Sequence, residues 1–215
     1  MRVEKNPERG VILLAGGESR RMGRDKFLLP FKGESMGCRI LRRLKGIGNP
    51  VIVAGAGLSC ETRGIPVVSD RYPGQGPLAG IHAGLSVSTC GPNLVVACDM
   101  PFASPELARL LFSRSEGVDA VVPQDGERTH PLFAVYQRRC LPVLERRLYC
   151  RERRVTDFLQ ELRVGYVDRE EMESCANPDR ALFNMNRPRE WSRALSFVEQ
   201  SEETGHREVR EKSGE

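Results

Sequence analysis

No stretch of this chain is apolar for long enough to span a membrane, and its opening residues, Met1-Arg2-Val3-Glu4-Lys5-Asn6-Pro7-Glu8-Arg9, hold no apolar signal core. The expectation is a cytoplasmic protein with no membrane partner. Aromatic residues are scarce, 6% of 215 residues with a single tryptophan, and they do not interleave with basic side chains as a nucleic-acid groove would require. The seven cysteines, Cys38, Cys60, Cys90, Cys98, Cys140, Cys150 and Cys175, are odd in number and form no C-x-x-C pair. That argues against a zinc site or a disulfide framework, and most are expected to be buried thiols. Among the three histidines, His82 and His206 are read as structural or incidental, and no Ser-His-Asp or Cys-His grouping points to nucleophilic catalysis.

Two common nucleotide fingerprints are also missing. A P-loop requires G-x-x-x-x-G-K-[ST], whereas Lys26 here lies between Asp25 and Phe27. A dinucleotide fold requires G-x-G-x-x-G, and Gly55-Ala56-Gly57, like the other G-x-G triplets at 46–48 and 74–76, lacks the third glycine.

What the chain does have is an apolar run, Gly10-Val11-Ile12-Leu13, leading into Leu14-Ala15-Gly16-Gly17-Glu18-Ser19-Arg20-Arg21-Met22-Gly23-Arg24-Asp25-Lys26. Paired glycines after a strand let backbone N–H groups approach an anion closely. Arg20, Arg21, Arg24 and Lys26 can neutralise charge that develops during phosphoryl or nucleotidyl transfer. With a net charge of only +4, an anionic small molecule is a more natural partner than a nucleic acid.

Short β-branched runs alternate with helical patterns, the signature of an α/β domain with a largely parallel sheet. Strands are predicted at 11–15, 51–54, 66–69, 94–97, 120–123 and 164–167, with an antiparallel strand at 131–136. Helices are predicted at 36–45, 78–87, 105–112, 140–148, 155–161 and 188–199. The helix after Ser104 has a serine cap, Pro105 in its first position and Glu106 in its first turn. One folded domain over 10–199 is expected, between a flexible 1–9 and a charged, disordered tail at 200–215.

In open parallel sheets, ligands bind beyond the carboxyl ends of the strands. Those ends deliver the glycine-arginine segment, then Asp70 with Gly76-Pro77-Leu78-Ala79-Gly80, then Cys98-Asp99-Met100-Pro101, then a polar turn ending in His130. Asp99 follows an apolar strand, and with Ser104 already available as the helix cap it is the first candidate ligand for magnesium, which prefers carboxylate and phosphate oxygens. Asp70 is a second ligand, a contact to a nucleotide's base or sugar, or a turn cap. Gly76 and Pro77 start a helix whose N-terminus suits an anion or a purine edge, or serve helix–sheet packing. His130 donates to a substrate phosphate or stabilises its turn.

Taken together, the chain resembles the molybdenum cofactor guanylyltransferases, the MobA family. The resemblance rests on residues 14–26, on Gly-Pro-Leu-Ala-Gly at 76–80, on Cys-Asp-Met-Pro at 98–101, on Gly-Glu-Arg-Thr-His-Pro at 126–131 and on Phe-Asn-Met-Asn-Arg-Pro at 183–188. It implies a Rossmann-like, three-layer α/β nucleotidyltransferase fold that uses GTP and Mg2+ to attach GMP to molybdopterin, releasing pyrophosphate. Molybdoenzymes or their chaperones are the implied recipients. By motif, Leu14, Ala15, Gly16 and Gly17 would meet the nucleotide through backbone groups, and Arg21 and Lys26 would hold its phosphates. Asp70, Gly76 and Pro77 would contact GTP, and Asp99 would bind GTP and the metal. His130, Asn184 and Asn186 would lie near the pterin phosphate; turn hydrogen bonds are the other role open to the asparagines. The chain departs from the family at Ala54, where an asparagine amide often contacts the nucleotide. A transferase using CTP or another phosphorylated acceptor, and a nucleotide-binding adaptor without turnover, are the competing expectations.

Overall fold

A computed structural model describes residues 9–15, 26–53, 64–185, 190 and 194 of the chain. In chain order its strands are β1 (Gly10–Leu14), β2 (Pro30–Phe31), β3 (Glu34–Ser35), β4 (Asn49–Val53), β5 (Val67–Val68), β6 (Pro92–Ala97), β7 (Ala120–Asp125), β8 (Arg128–Thr129), β9 (Phe133–Gln137) and β10 (Val164–Val167). Its helices are α1 (Met36–Arg43), α2 (Pro77–Val87), α3 (Pro105–Ser113), α4 (Leu141–Tyr149), α5 (Val155–Gln160), α6 (Arg169–Glu173) and α7 (Pro178–Ala181).

The main sheet runs β10-β7-β9-β6-β1-β4-β5, with β8 paired to β7. β1 lies parallel between β4 and β6, with Leu14 opposite both Val53 and Ala97. β9 is antiparallel and wedged between β6 and β7. Every residue of β1 is buried, as expected for a strand covered on both faces.

Alternation along the strands divides the interior in two. Val11, Leu13, Leu94 and Val96 face a core shared with α1, α3 and α6, while Ile12, Leu14 and Val95 face a core shared with α2, α4 and α5. The result is helix, sheet, helix: the three-layer Rossmann-like arrangement expected. Close packing fixes the second layer. A Cβ added to Gly84 of α2 would lie 2.4 Å from Ile12 Cγ2, so glycine lets α2 sit directly on β1. One turn earlier, a Cβ on Gly80 would lie 3.0 Å from Leu14 Cδ2, which brings the start of α2 beside the end of β1.

The seven strands expected, including the antiparallel β9, and the first five helices lie where the chain's periodicity puts them, while the short strands β2, β3 and β8 were not anticipated. The strand expected at 66–69 shortens to Val67–Val68 at the sheet edge. Of the helix expected over 188–199, Glu190 and Ala194 are described and both are helical; the rest lies outside the described residues. Cys90, Cys98 and Cys140 are buried thiols, but Cys38, on α1, and Cys150, the residue that caps the end of α4, are exposed. Among the described residues no helix is long and apolar enough to cross a membrane.

Candidate functional site

The site forms where β1, β6 and β9 meet the loops at one end of the sheet. The chain leaves β1 at Ala15, whose amide donates to the Val53 carbonyl at 2.8 Å. It re-enters at a 3₁₀ turn, Lys26–Leu28, anchored by Phe27, which is fully buried against Gly37 of α1. Both ends of the glycine-arginine segment are therefore pinned, one on the sheet and one in the core. Gly16, Gly17 and Arg21 fall outside the described residues, as does Ala54.

Asp99 sits in the turn after β6, half-buried. The amide of Cys98 donates to the Leu14 carbonyl at 3.1 Å, placing Asp99 beside the root of the glycine segment. Three arginines hold its loop. Arg39 Nε donates to the Pro101 carbonyl at 3.2 Å and Arg43 Nε to that of Ala103 at 2.9 Å. Arg180 of α7 stacks over the Phe102 ring at 5.2 Å. Burial lowers the pKa of Arg43, as does the repulsion of Arg180 and Arg39. The sequence reading missed these arginines; their spacing on α1 put Arg39 and Arg43 one turn apart, but their partners lie about sixty residues away.

Asp99 is a suitable divalent-metal ligand. Among the described residues no three His, Cys, Asp or Glu side chains gather to hold a metal. An ion at Asp99 would draw on phosphate and water oxygens, the usual manner for magnesium.

Asp70 follows β5, and its Oδ1 accepts from the Tyr72 amide at 2.6 Å. The turn role is thus filled by one oxygen, and Oδ2 has no hydrogen bond among the described residues. The Tyr72 ring meets buried His82 edge-on at 5.2 Å, and His82 Nε2 lies 3.4 Å from Glu145 Oε1, so His82 is structural as expected. Gly76 begins α2 with φ 73°, a left-handed angle natural to glycine, and Pro77 occupies the first helical position.

On the other side of Asp99, His130 and Asn184 share a cavity of about 270 Å³. The His130 amide donates to the Pro123 carbonyl at 2.9 Å, and the buried Tyr136 hydroxyl donates to the Pro131 carbonyl at 2.9 Å, fixing this turn against the sheet. Burial lowers the His130 pKa, with Arg128 pushing the same way and Asp125 opposing, so the ring is neutral at pH 7. Asn184 lies between buried Phe183 and Met185, and the Met185 amide donates to the Asp99 carbonyl at 2.8 Å. Asn186 is outside the described residues, and of Lys26 the backbone alone is described.

The structure thus joins Leu14, Asp99, Asn184 and His130 in one continuous region, while Asp70, Gly76 and Pro77 lie at the same end of the sheet, after β5 and at the start of α2. The family description MobA-like NTP transferase domain matches residues 11–165. A probable molybdenum cofactor guanylyltransferase of Pelotomaculum thermopropionicum is 42% identical, over 88% of this chain and 93% of that protein. The molybdenum cofactor guanylyltransferase of Vibrio cholerae is 33% identical, over 83% and 87%. The crystal structure of molybdopterin-guanine dinucleotide biosynthesis protein A from Archaeoglobus fulgidus superposes with a TM-score of 0.75 at 27% identity, covering 89% of this chain and 99% of that one. A match running from the first buried strand to the last, with the loop sites gathered at one end of the sheet, places this chain in the MobA-like NTP transferase family.

Proposed function

We propose that the protein transfers GMP from GTP to the phosphate of molybdopterin, giving the guanine dinucleotide form of the cofactor and pyrophosphate, within a transferase domain spanning 10–199. The observation that carries this reading is the pair of backbone bonds at Asp99's turn, Cys98 to Leu14 and Met185 to Asp99. They hold the Asp99 turn between the end of β1 and the Asn184 segment, which supports one carboxylate serving a nucleotide side and an acceptor side.

The nucleophile would be a phosphate monoester with a second pKa of about 6, already largely dianionic at neutral pH. No strong general base is needed; two anions must be brought together and the departing pyrophosphate stabilised. Asp99 would hold Mg2+, which would supply charge neutralisation for the triphosphate. Arg21 and Lys26 contact the phosphates, while backbone groups of Leu14, Ala15, Gly16 and Gly17 hold the guanosine. Asp70, Gly76 and Pro77 complete the GTP side. Neutral His130 donates to the acceptor phosphate, with Asn184 and Asn186 beside it. Dependence on GTP suits a cytoplasmic enzyme, and molybdoenzymes or their chaperones are the recipients of its product.

The test is pyrophosphate release with molybdopterin and Mg2+ across GTP, CTP, ATP and UTP. Release with GTP alone is expected. Release with CTP would overturn the choice of base, with Ala54 as its cause, and no release from folded protein with any nucleotide would favour an adaptor.

A further inference from the structure

The cavity that holds His130 and Asn184 has an unexpected charge. Among the described residues its wall carries Asp125 and Asp179 against one guanidinium, Arg128. Such a wall repels the anionic acceptor proposed above unless something offsets it.

Arg169, the first residue of α6, stands behind both of these carboxylates. Its Nη1 donates to Asp125 Oδ2 at 2.9 Å and its Nη2 to Asp179 Oδ2 at 2.8 Å, while Nε donates to Glu173 Oε1 at 2.8 Å. The guanidinium does not line the cavity; it borders the hollow on the far side, which also includes Asp179 and Glu173. One planar side chain therefore ties the end of β7 to α7, two walls of the cavity, and matches their carboxylates with a fixed fork. As a stability device the arrangement is poor, since ion pairs at the surface contribute little and Arg169 is 40% exposed.

We infer that Arg169 is a positioning residue for the acceptor: it neutralises Asp125 and Asp179 and draws them to the cavity's outer side, so that a phosphate can enter beside His130. The inference rests on the acceptor reading given above. It also accounts for an arginine whose partners lie 44 and 10 residues away in sequence.

The test compares wild type, Arg169→Ala, Arg169→Ala with Asp125→Asn and Asp179→Asn, and the two asparagine substitutions with Arg169 intact. In the pyrophosphate-release assay, Arg169→Ala is expected to raise KM for molybdopterin on the order of tenfold, an effect shrinking at high salt, with KM for GTP nearly unmoved. Neutralising the two carboxylates should restore most of the loss, and with Arg169 intact should leave KM equal to or below wild type. An unchanged KM, a loss that carboxylate neutralisation does not rescue, or a lower KM in Arg169→Ala would each overturn the inference. The last would make the carboxylates ligands for donor groups of the acceptor. If Arg169→Ala does not fold, the asparagine variant with intact Arg169 decides alone, a raised KM overturning the proposal. A second readout is independent of turnover: inorganic phosphate titrated against the His130 ring resonances. Phosphate should bind more weakly to Arg169→Ala than to wild type even if the enzyme releases no pyrophosphate with any nucleotide, an outcome that would sink the functional reading alone. Equal phosphate binding would sink the role of Arg169.

Discussion

The amide of Met185 donates to the carbonyl of Asp99 at 2.8 Å, joining residues 86 positions apart in the chain. The bond uses only backbone atoms, so it fixes the two turns against each other without engaging the side chain of Asp99 or of Asn184. It also sets the distance between the two, because both turns are rooted in buried neighbours, Met100 and Met185 itself.

Asp99→Asn keeps the shape of the side chain and removes its charge. The variant should melt within a degree or two of wild type, because a half-buried turn residue contributes little to folding. Pyrophosphate release should fall by at least ~100-fold at limiting magnesium, the consequence of losing several kcal/mol of electrostatic stabilisation. Undiminished turnover at low magnesium would refute the metal role.

His130 yields a prediction in pH. Burial holds its pKa below the usual histidine range, so the folded protein binds fewer protons at this ring than the unfolded chain does. The ring's contribution to stability is therefore present above the ordinary imidazole pKa and diminishes as pH falls towards the lowered value. A ring-proton titration by NMR should show a midpoint on the acid side of a free histidine. Arg128→Gln should raise that midpoint only slightly, because burial is the larger cause.

Gly84→Ala sets two effects against each other. Alanine favours a helix over glycine by up to ~1 kcal/mol. The new methyl would, however, stand 2.4 Å from Ile12 Cγ2 in a packed core, and overpacking costs about 1–3 kcal/mol. Packing should win, lowering the melting temperature by roughly 2–8 °C. A gain in stability would show that α2 can lift off β1 at no cost.

Arg151 ends α4 at φ 58°. Its amide donates to the Leu148 carbonyl at 3.1 Å and that of Glu152 to the Arg147 carbonyl at 2.9 Å, the paired bonds of a Schellman cap. Glycine is the usual residue there, and a side chain in this conformation costs about 1–2 kcal/mol. Arg151→Gly should therefore hold or raise the melting temperature despite the greater freedom it gives the unfolded chain. A clear drop in thermal unfolding would mean that the arginine side chain stabilises the fold.

Much of this was legible in the sequence because the strands of a covered sheet read as uninterrupted apolar runs. β1 and β6 are of this kind, and the loop motifs follow directly from where they end. The Ser104 cap was likewise written locally and is observed, its hydroxyl accepting from the Leu107 amide at 3.2 Å. The short helices α6 and α7 were missed although each had its signal: Asp168 caps Glu171, and Asn177 precedes Pro178. Five and four residues long, they are too short to show a period. The β2–β3 hairpin was hidden for another reason. Its two-residue turn needs positive φ at both positions, and it places Lys32 at φ 50° before Gly33, where asparagine would have signalled the turn. The Arg169 cluster was illegible, since nothing local links an arginine to a carboxylate 44 residues earlier.

The placement of β9 has a consequence for how the molecule breathes. β7, β8 and β9 follow one another and pair antiparallel, whereas β9 meets β6 across a long excursion of chain. The sheet is thus two sub-sheets joined along one seam, β5-β4-β1-β6 on one side and β9-β7-β10 on the other. Donor and acceptor would be berthed on opposite banks of that seam, with Asp99 at its mouth. A fluctuation that loosens the β6–β9 ladder would part the two substrates while leaving each bank folded, so the reaction would proceed only while the seam is zipped. Amide exchange at Val95 and Ala97, whose N–H groups face β9 (that of Ala97 donates to the Leu132 carbonyl at 3.0 Å), would report that opening apart from global unfolding.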